Sequence, residues 1–290
     1  MLTHYDYYSA FLAQYANKFI YLCPYPGNSG DELIVRGTLE LIDKLNILRT
    51  YNPNLAEVIL YPGGNFTMWH EDIVIWRNIW EQYPNKPFII GPITCSKSDN
   101  FWIESITELN PNILICAARD KNSYAILENI SQIKCKKLLA HDPAFYLRHS
   151  SLIQTWLTGA YEQHNLYAFR SDHEANSFSP TLSNNPYIAS IQKMQRILLS
   201  KRNRELKVNK ANQMTQSNLP KIIKDASLTN FDIFLDLILR AKEIHTDRLH
   251  IMICAALLNK KIFAYSTQYK KLEAVYEHSM QGWSDVTFVT

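Results

Sequence analysis

The chain has 290 residues, 47% of them hydrophobic and 20% charged, with a formal net charge of +3. That composition excludes a disordered or fibrous chain, and the length suits two domains of about 100–170 residues each. A charge of +3 is too small by itself to imply nucleic-acid binding. The longest apolar run, Leu249–Leu258, falls well short of the roughly 20 residues that a bilayer crossing needs. Met1–Ser9 shows no cationic flank leading into an apolar run, so a soluble, cytoplasmic protein is expected. The five cysteines, Cys23, Cys95, Cys116, Cys135 and Cys254, are widely spaced with no CxxC pair. They read as reduced residues rather than a disulfide framework or a zinc site.

In chain order, short apolar runs alternate with turn residues and helix-like stretches. Strands are predicted at Lys18–Cys23, Glu57–Tyr61, Pro87–Ile90, Ile113–Ala117 and Lys137–Ala140. Runs that are apolar throughout, rather than alternating, suit strands covered on both faces, and strands alternating with helices indicate parallel βαβ units. The theme repeats with strands at Asn165–Arg170, Lys242–His245 and Lys260–Tyr265, and helices at Phe231–Ala241 and Asp247–Leu258. Asp172–Ser227 is polar, with helical or mobile stretches and no clear strand. The expectation is an α/β protein of two Rossmann-like domains, 1–150 and 151–290, facing a cleft in the GT-B-like layout of sugar-modifying enzymes.

Ligands of open α/β sheets bind beyond the carboxyl ends of the strands. Those turns hold Gly27 to Asp31, Gly63-Gly64-Asn65, Gly91-Pro92, Arg119-Asp120, His141-Asp142, Arg170-Ser171-Asp172 and Thr246 to His250. Five of the 8 glycines fall in the first three, where glycine allows close backbone approach, although βα turns also attract Gly and Asp for steric reasons. Thr246 is a suitable N-cap, and Arg248 and His250 then stand on the first turn of an apolar helix beside free backbone N–H groups, an anion site. A core histidine at 250 and an Arg248 paired with Asp247 or another nearby acid are the alternatives. A structural salt bridge is the alternative for Arg170. No GxSxG, Walker, HExxH or full GxGxxG pattern occurs.

Taken in order, Gly27-Asn28-Ser29-Gly30-Asp31-Glu32, Gly63-Gly64-Asn65, Gly91-Pro92, Arg119-Asp120 with Ser123, Asp142-Pro143-Ala144-Phe145, Arg170 with Asp172, and Arg248-Leu249-His250 with Ala255 resemble the polysaccharide pyruvyl transferase family. Pro62 departs from the pattern, standing where a third glycine is common. The resemblance implies phosphoenolpyruvate as donor, no metal, no cofactor, and formation of a pyruvate ketal on a sugar of a surface polysaccharide or its lipid-linked precursor. It implies that 1–150 is the acceptor side and 151–290 the donor side. It makes His250 and Asp31 catalytic, and Arg170, Arg248 and Leu249 donor-binding. Asn28, Ser29, Gly63, Gly64, Asn65, Arg119 and Asp172 become candidates for the acceptor side or the cleft lining. A GT-B glycosyltransferase using a nucleotide-sugar, and an inactive carbohydrate-binding homologue, are the competing readings.

The basic character is local. Lys193–Lys210 holds seven Lys/Arg against one acid, Glu205. Met194, Ile197 and Leu198 recur there at helical spacing, so a helix continuing into a mobile basic tail is expected, with peripheral contact to the inner face of the cytoplasmic membrane.

Overall fold

The computed structural model describes residues 6–25, 27–64, 70–95, 112–159, 161–170, 186–215, 217–267 and 270–289. The chain divides into two compact units, Met1–Leu152 with Ala274–Trp283, and Ile153–Glu273 with Ser284–Thr290.

The first unit is built on a parallel sheet of β1 (Phe19–Leu22), β2 (Leu48–Arg49), β3 (Val58–Tyr61), β4 (Phe88–Ile93), β5 (Ile113–Ala118) and β6 (Lys136–Leu139). Their order is β2-β1-β3-β4-β5-β6. Helices α1 (Tyr7–Leu12), α2 (Ser29–Lys44), α3 (His70–Gln82) and α4 (Lys121–Glu128) alternate with them. The strands read as continuous apolar runs because each feeds two cores. Val58 and Leu60 join Leu12, Leu41 and Ile42 on one face. Ile59 and Tyr61 join Trp76, Phe88 and Cys116 on the other. The returning segment 274–283 belongs to this unit: the His278 ring stacks on His141 at 4.7 Å, and Trp283 meets Phe145 edge-on beneath the Arg148 guanidinium.

The second unit holds a smaller parallel sheet of β7 (His164–Ala168), β8 (Lys221–Ile223), β9 (Ala241–Thr246), β10 (Lys261–Tyr265) and β11 (Val286–Val289), ordered β11-β10-β9-β7-β8. The remaining helices are α5 (Ser151–Thr158), α6 (Pro186–Met214), α7 (Phe231–Leu239), α8 (Leu249–Leu257) and α9 (Lys271–Val275). An α/β chain with two Rossmann-like parallel sheets is thus the observed fold class. All five cysteines are free, and all but Cys135 are buried.

Three expectations change. The polar stretch 172–227 does contain a strand, β8, whose three residues are too few to show a pattern. The basic stretch is helical from end to end within the 29-residue α6, with no tail. Helix α8 begins at Leu249 with Arg248 as its N-cap, and Thr246 serves instead by accepting the Arg248 N–H at 3.0 Å.

Within β9, His245 is fully buried. Its ring stacks on Phe263 at 4.5 Å, with Nδ1 3.1 Å from the Tyr265 hydroxyl and Nε2 3.1 Å from that of Thr215. Burial, and then the charge of Lys261, push its pKa down to about 4. An unfolded chain takes this proton near pH 6.5, so stability is complete above that value and falls as pH drops from about 6.5 towards 4. The expected loss is about 3 kcal/mol. Urea unfolding across that window should show His245→Asn with a shallower pH dependence than the native protein, and parallel curves would overturn the assignment.

Candidate active site

Strands β7 and β9 are parallel neighbours with Ala168 opposite Thr246. The chain therefore leaves both strands at the same sheet edge, which brings Arg170 beside Asp247 and Arg248. The Thr246 hydroxyl locks the exit by donating to the Ala168 carbonyl at 2.8 Å. Asp247 does more than favour a helix start. One carboxylate oxygen accepts the Arg170 backbone N–H at 2.8 Å, and the other accepts Lys207 Nζ of α6 at 2.5 Å.

Arg248 is buried and forms a two-point ion pair with Asp225, Nε to Oδ1 at 3.1 Å and a terminal nitrogen to Oδ2 at 2.5 Å. Asp225 follows β8 and also accepts the Ser227 hydroxyl at 2.8 Å. The guanidinium is thereby fixed in one orientation at the N-terminus of α8, where backbone N–H groups and the helix dipole favour an anion. Leu249 is buried, whereas Arg170 and His250 are only half-buried. His250 is more open than Cys254 and Leu257 on the same face. Among the described residues, Arg170, Lys207 and Arg248 stand here with the carboxylates of Asp225 and Asp247.

At the edge of the first sheet, Asn28 and Asp31 close a capping box on α2. Asn28 Oδ1 accepts the Gly30 N–H and Asp31 Oδ2 accepts the Asn28 N–H, both at 2.8 Å. A side chain at Gly27 would collide with that carboxylate. Ser29 is buried in the helix's first turn and Asp31 is half-buried. Gly63 and Gly64 have φ of 115° and 110°, accessible essentially to glycine alone. Their turn interlocks with the end of β4, which runs through Gly91-Pro92 where the sequence suggested a turn: Gly64 N–H donates to the Pro92 carbonyl, and Thr94 N–H to that of Gly64, both at 2.9 Å. Arg119 is not a lining residue. It is 2% exposed, donating to the Thr94 hydroxyl at 2.7 Å and paired with buried Asp142 at 2.8 Å, so it ties the ends of β4, β5 and β6 together. Asn65 and Asp172 lie outside the described residues.

The structure thus joins Arg170, Arg248, Leu249 and His250 in one cluster of the second unit. Asn28, Ser29 and Asp31 form one turn of the first unit, and Gly63 and Gly64 another. Sequence reasoning missed Asp225 and Lys207. The Ile222-Ile223 pair ahead of Asp225 is a short form of the strand-then-acid pattern that marked the other turns. Lys207 was counted only as surface charge.

Among the described residues, no three His, Cys, Asp or Glu side chains gather as metal ligands. The sequence model for the polysaccharide pyruvyl transferase family matches residues 28–269. No curated protein is similar enough in sequence to match. Among solved structures, an uncharacterised protein from Klebsiella pneumoniae subsp. pneumoniae aligns with a TM-score of 0.61 at 19% identity, covering 98% of this chain and 97% of its own. That likeness shows a shared fold. UDP-GlcNAc 2-epimerase from Methanocaldococcus jannaschii aligns at 0.42 and 10% identity, over 93% of this chain and 88% of its own. HepE from Anabaena, solved with UDP-glucose, aligns at 0.43 and 9% identity, over 94% and 85%.

Breaking a buried ion pair on one side strands the other charge. Asp225→Ala should therefore lower unfolding stability by roughly 3–5 kcal/mol, and Asp225→Asn, which keeps the hydrogen bonds, by less. Urea denaturation giving Asp225→Ala the stability of the native protein would contradict the buried pairing.

Proposed function

Because the chain belongs to the polysaccharide pyruvyl transferase family, we propose that it moves pyruvyl from phosphoenolpyruvate onto two hydroxyls of a sugar as a ketal. The sugar is part of a surface polysaccharide or its lipid-linked precursor, modified on the cytoplasmic side. The observation that supports this reading best is the pairing of Arg170 and the pre-oriented Arg248 with the N-terminus of α8. Phosphoenolpyruvate carries a carboxylate and a phosphate, a charge near −3, and arginine forks at a helix start match both groups.

In the proposed reaction the two arginines hold the donor, together with Leu249 at the start of α8. His250 donates a proton to the enol methylene, which becomes the pyruvyl methyl group, and the adjacent carbon turns electrophilic. One sugar hydroxyl adds there, phosphate leaves, and the second hydroxyl closes the ketal. Of the two hydroxyl protons, one replaces the proton given by His250 and the other leaves with phosphate. Histidine is the side chain best suited to such a donation at neutral pH. Asp31 is assigned the hydroxyl protons, with Asn28, Ser29, Gly63, Gly64, Asn65 and Asp172 as residues of the acceptor side or the cleft lining. The developing phosphate charge falls to Arg170 and Arg248.

Incubation with phosphoenolpyruvate and candidate sugars should release phosphate and add a pyruvyl ketal to the acceptor, read by mass. Arg170→Ala and Arg248→Lys should each weaken donor binding by roughly 1.5–3 kcal/mol in calorimetry. His250→Gln should cut turnover by about 100-fold with a smaller effect on donor affinity. Near-normal turnover in His250→Gln, or native donor affinity in both arginine variants, would remove those residues from the mechanism. Release of nucleotide from a nucleotide-sugar, with no phosphate from phosphoenolpyruvate, would replace the reading altogether.

A further inference from the structure

Helix α6 is much longer than the sheet it serves. Its 29 residues span about 43 Å, whereas the five residues of β7 span roughly 17 Å. Because β7 and β8 are parallel neighbours, the helix joining them must run back from the carboxyl edge of the sheet to its amino edge. Its last two turns do this work: Val208, Ala211 and Met214 pack with Tyr167, Phe169, Phe263 and Tyr265. Lys207, bound to Asp247, marks the level at which the helix passes the strand ends. Residues ahead of Lys207 accordingly extend past the carboxyl edge, with Ser200 and Arg204 Nε on a covered face of the helix.

The overhang does not look like a solvated surface helix. Ile188, Met194, Ile197, Leu198, Leu199 and Leu206 are each between 45 and 60% exposed. Single exposed aliphatics are ordinary, but six on one helix are not. Lys193, Lys201 and Arg202 are exposed among them, and Glu205 is the one acid in the whole helix. Met194, Ile197 and Leu198 share a face by their spacing, and Lys201 follows on that face one turn on. A second copy of the helix, set against this face by a two-fold axis, would bring the cations of both copies together. An anionic bilayer meets both features at once, because its acyl boundary accepts the aliphatics while lysine and arginine stems reach up to lipid phosphates.

We propose that the overhanging half of α6 is a membrane-interface helix that lies on an anionic lipid surface through Met194, Ile197 and Leu198, with Lys193, Lys201 and Arg202 at the headgroups. The cationic set differs from the one expected from sequence, since Lys207 is engaged by Asp247 inside the second unit. The surface is separate from the transfer chemistry and stands or falls independently of it.

The test is co-sedimentation of the full chain with vesicles of phosphatidylcholine alone and of phosphatidylcholine mixed with phosphatidylglycerol. The native protein is compared with two triple variants, M194S/I197S/L198S and K193Q/K201Q/R202Q. Circular dichroism melting checks that each variant folds. The native protein should pellet with the mixed vesicles only, and less so as salt rises. The charge variant should bind roughly 100-fold more weakly, and the apolar variant should also lose binding. Equal pelleting with neutral vesicles, or native binding by both variants, would overturn the proposal. A concentration-dependent dimer in sedimentation velocity, dissolved by the apolar variant and without vesicle binding, would also overturn it and give the face to a second copy.

Discussion

The carboxylate of Asp247 joins three segments that lie far apart in sequence: the exit of β7 through the Arg170 N–H, the long helix α6 through Lys207, and the start of α8 by its own place in the chain. A buried carboxylate is stable only when paired and hydrogen-bonded, so neither partner is dispensable. Once Asp247 is satisfied, the backbone on both sides of it is fixed, and with it the direction from which Arg248 enters its pair with Asp225. The arrangement of cations at this edge of the second sheet follows from these two carboxylates. They do not cancel the cations around them. They hold them in register at a helix N-terminus.

The first unit solves a different problem with similar means. Its strand ends are shaped chiefly by backbone, among the described residues. Gly63 and Gly64 adopt positive φ so that their turn can mesh with Gly91-Pro92, where a Cβ on Gly63 would lie 2.4 Å from the Pro92 carbonyl oxygen. Arg119 and Asp142 neutralise one another beneath these turns. The result is an edge shaped largely by backbone.

The strands that were legible from sequence are those buried on both faces, such as β3 and β4, because a continuous apolar run is the direct mark of two cores. The edge strands β2, β8 and β11 were not legible: two to four residues long and half-exposed, they carry no periodicity. At the sites, the cluster of Arg170, Arg248 and His250 was readable because each follows a strand or opens a helix. Arg119 follows a strand in the same way yet turns inward, a choice made by Thr94 and Asp142 from other strands. The partners Asp225 and Lys207 were hidden for the same reason, since ion pairs between distant segments leave no local pattern.

The path of the chain has a consequence for how the protein is made. Segment 274–283, with the His278 ring stacked on His141 and Trp283 on Phe145, completes the first unit only after the second has been almost wholly encoded. On a ribosome, which releases sequence from the amino end, the first unit must wait for residues 274–283 before its own fold is finished. Nor can either unit be exchanged between relatives by a single genetic crossover, because a gene cut near residue 152 leaves part of the first unit in the wrong half. An intact inheritance of both ends is built into the topology.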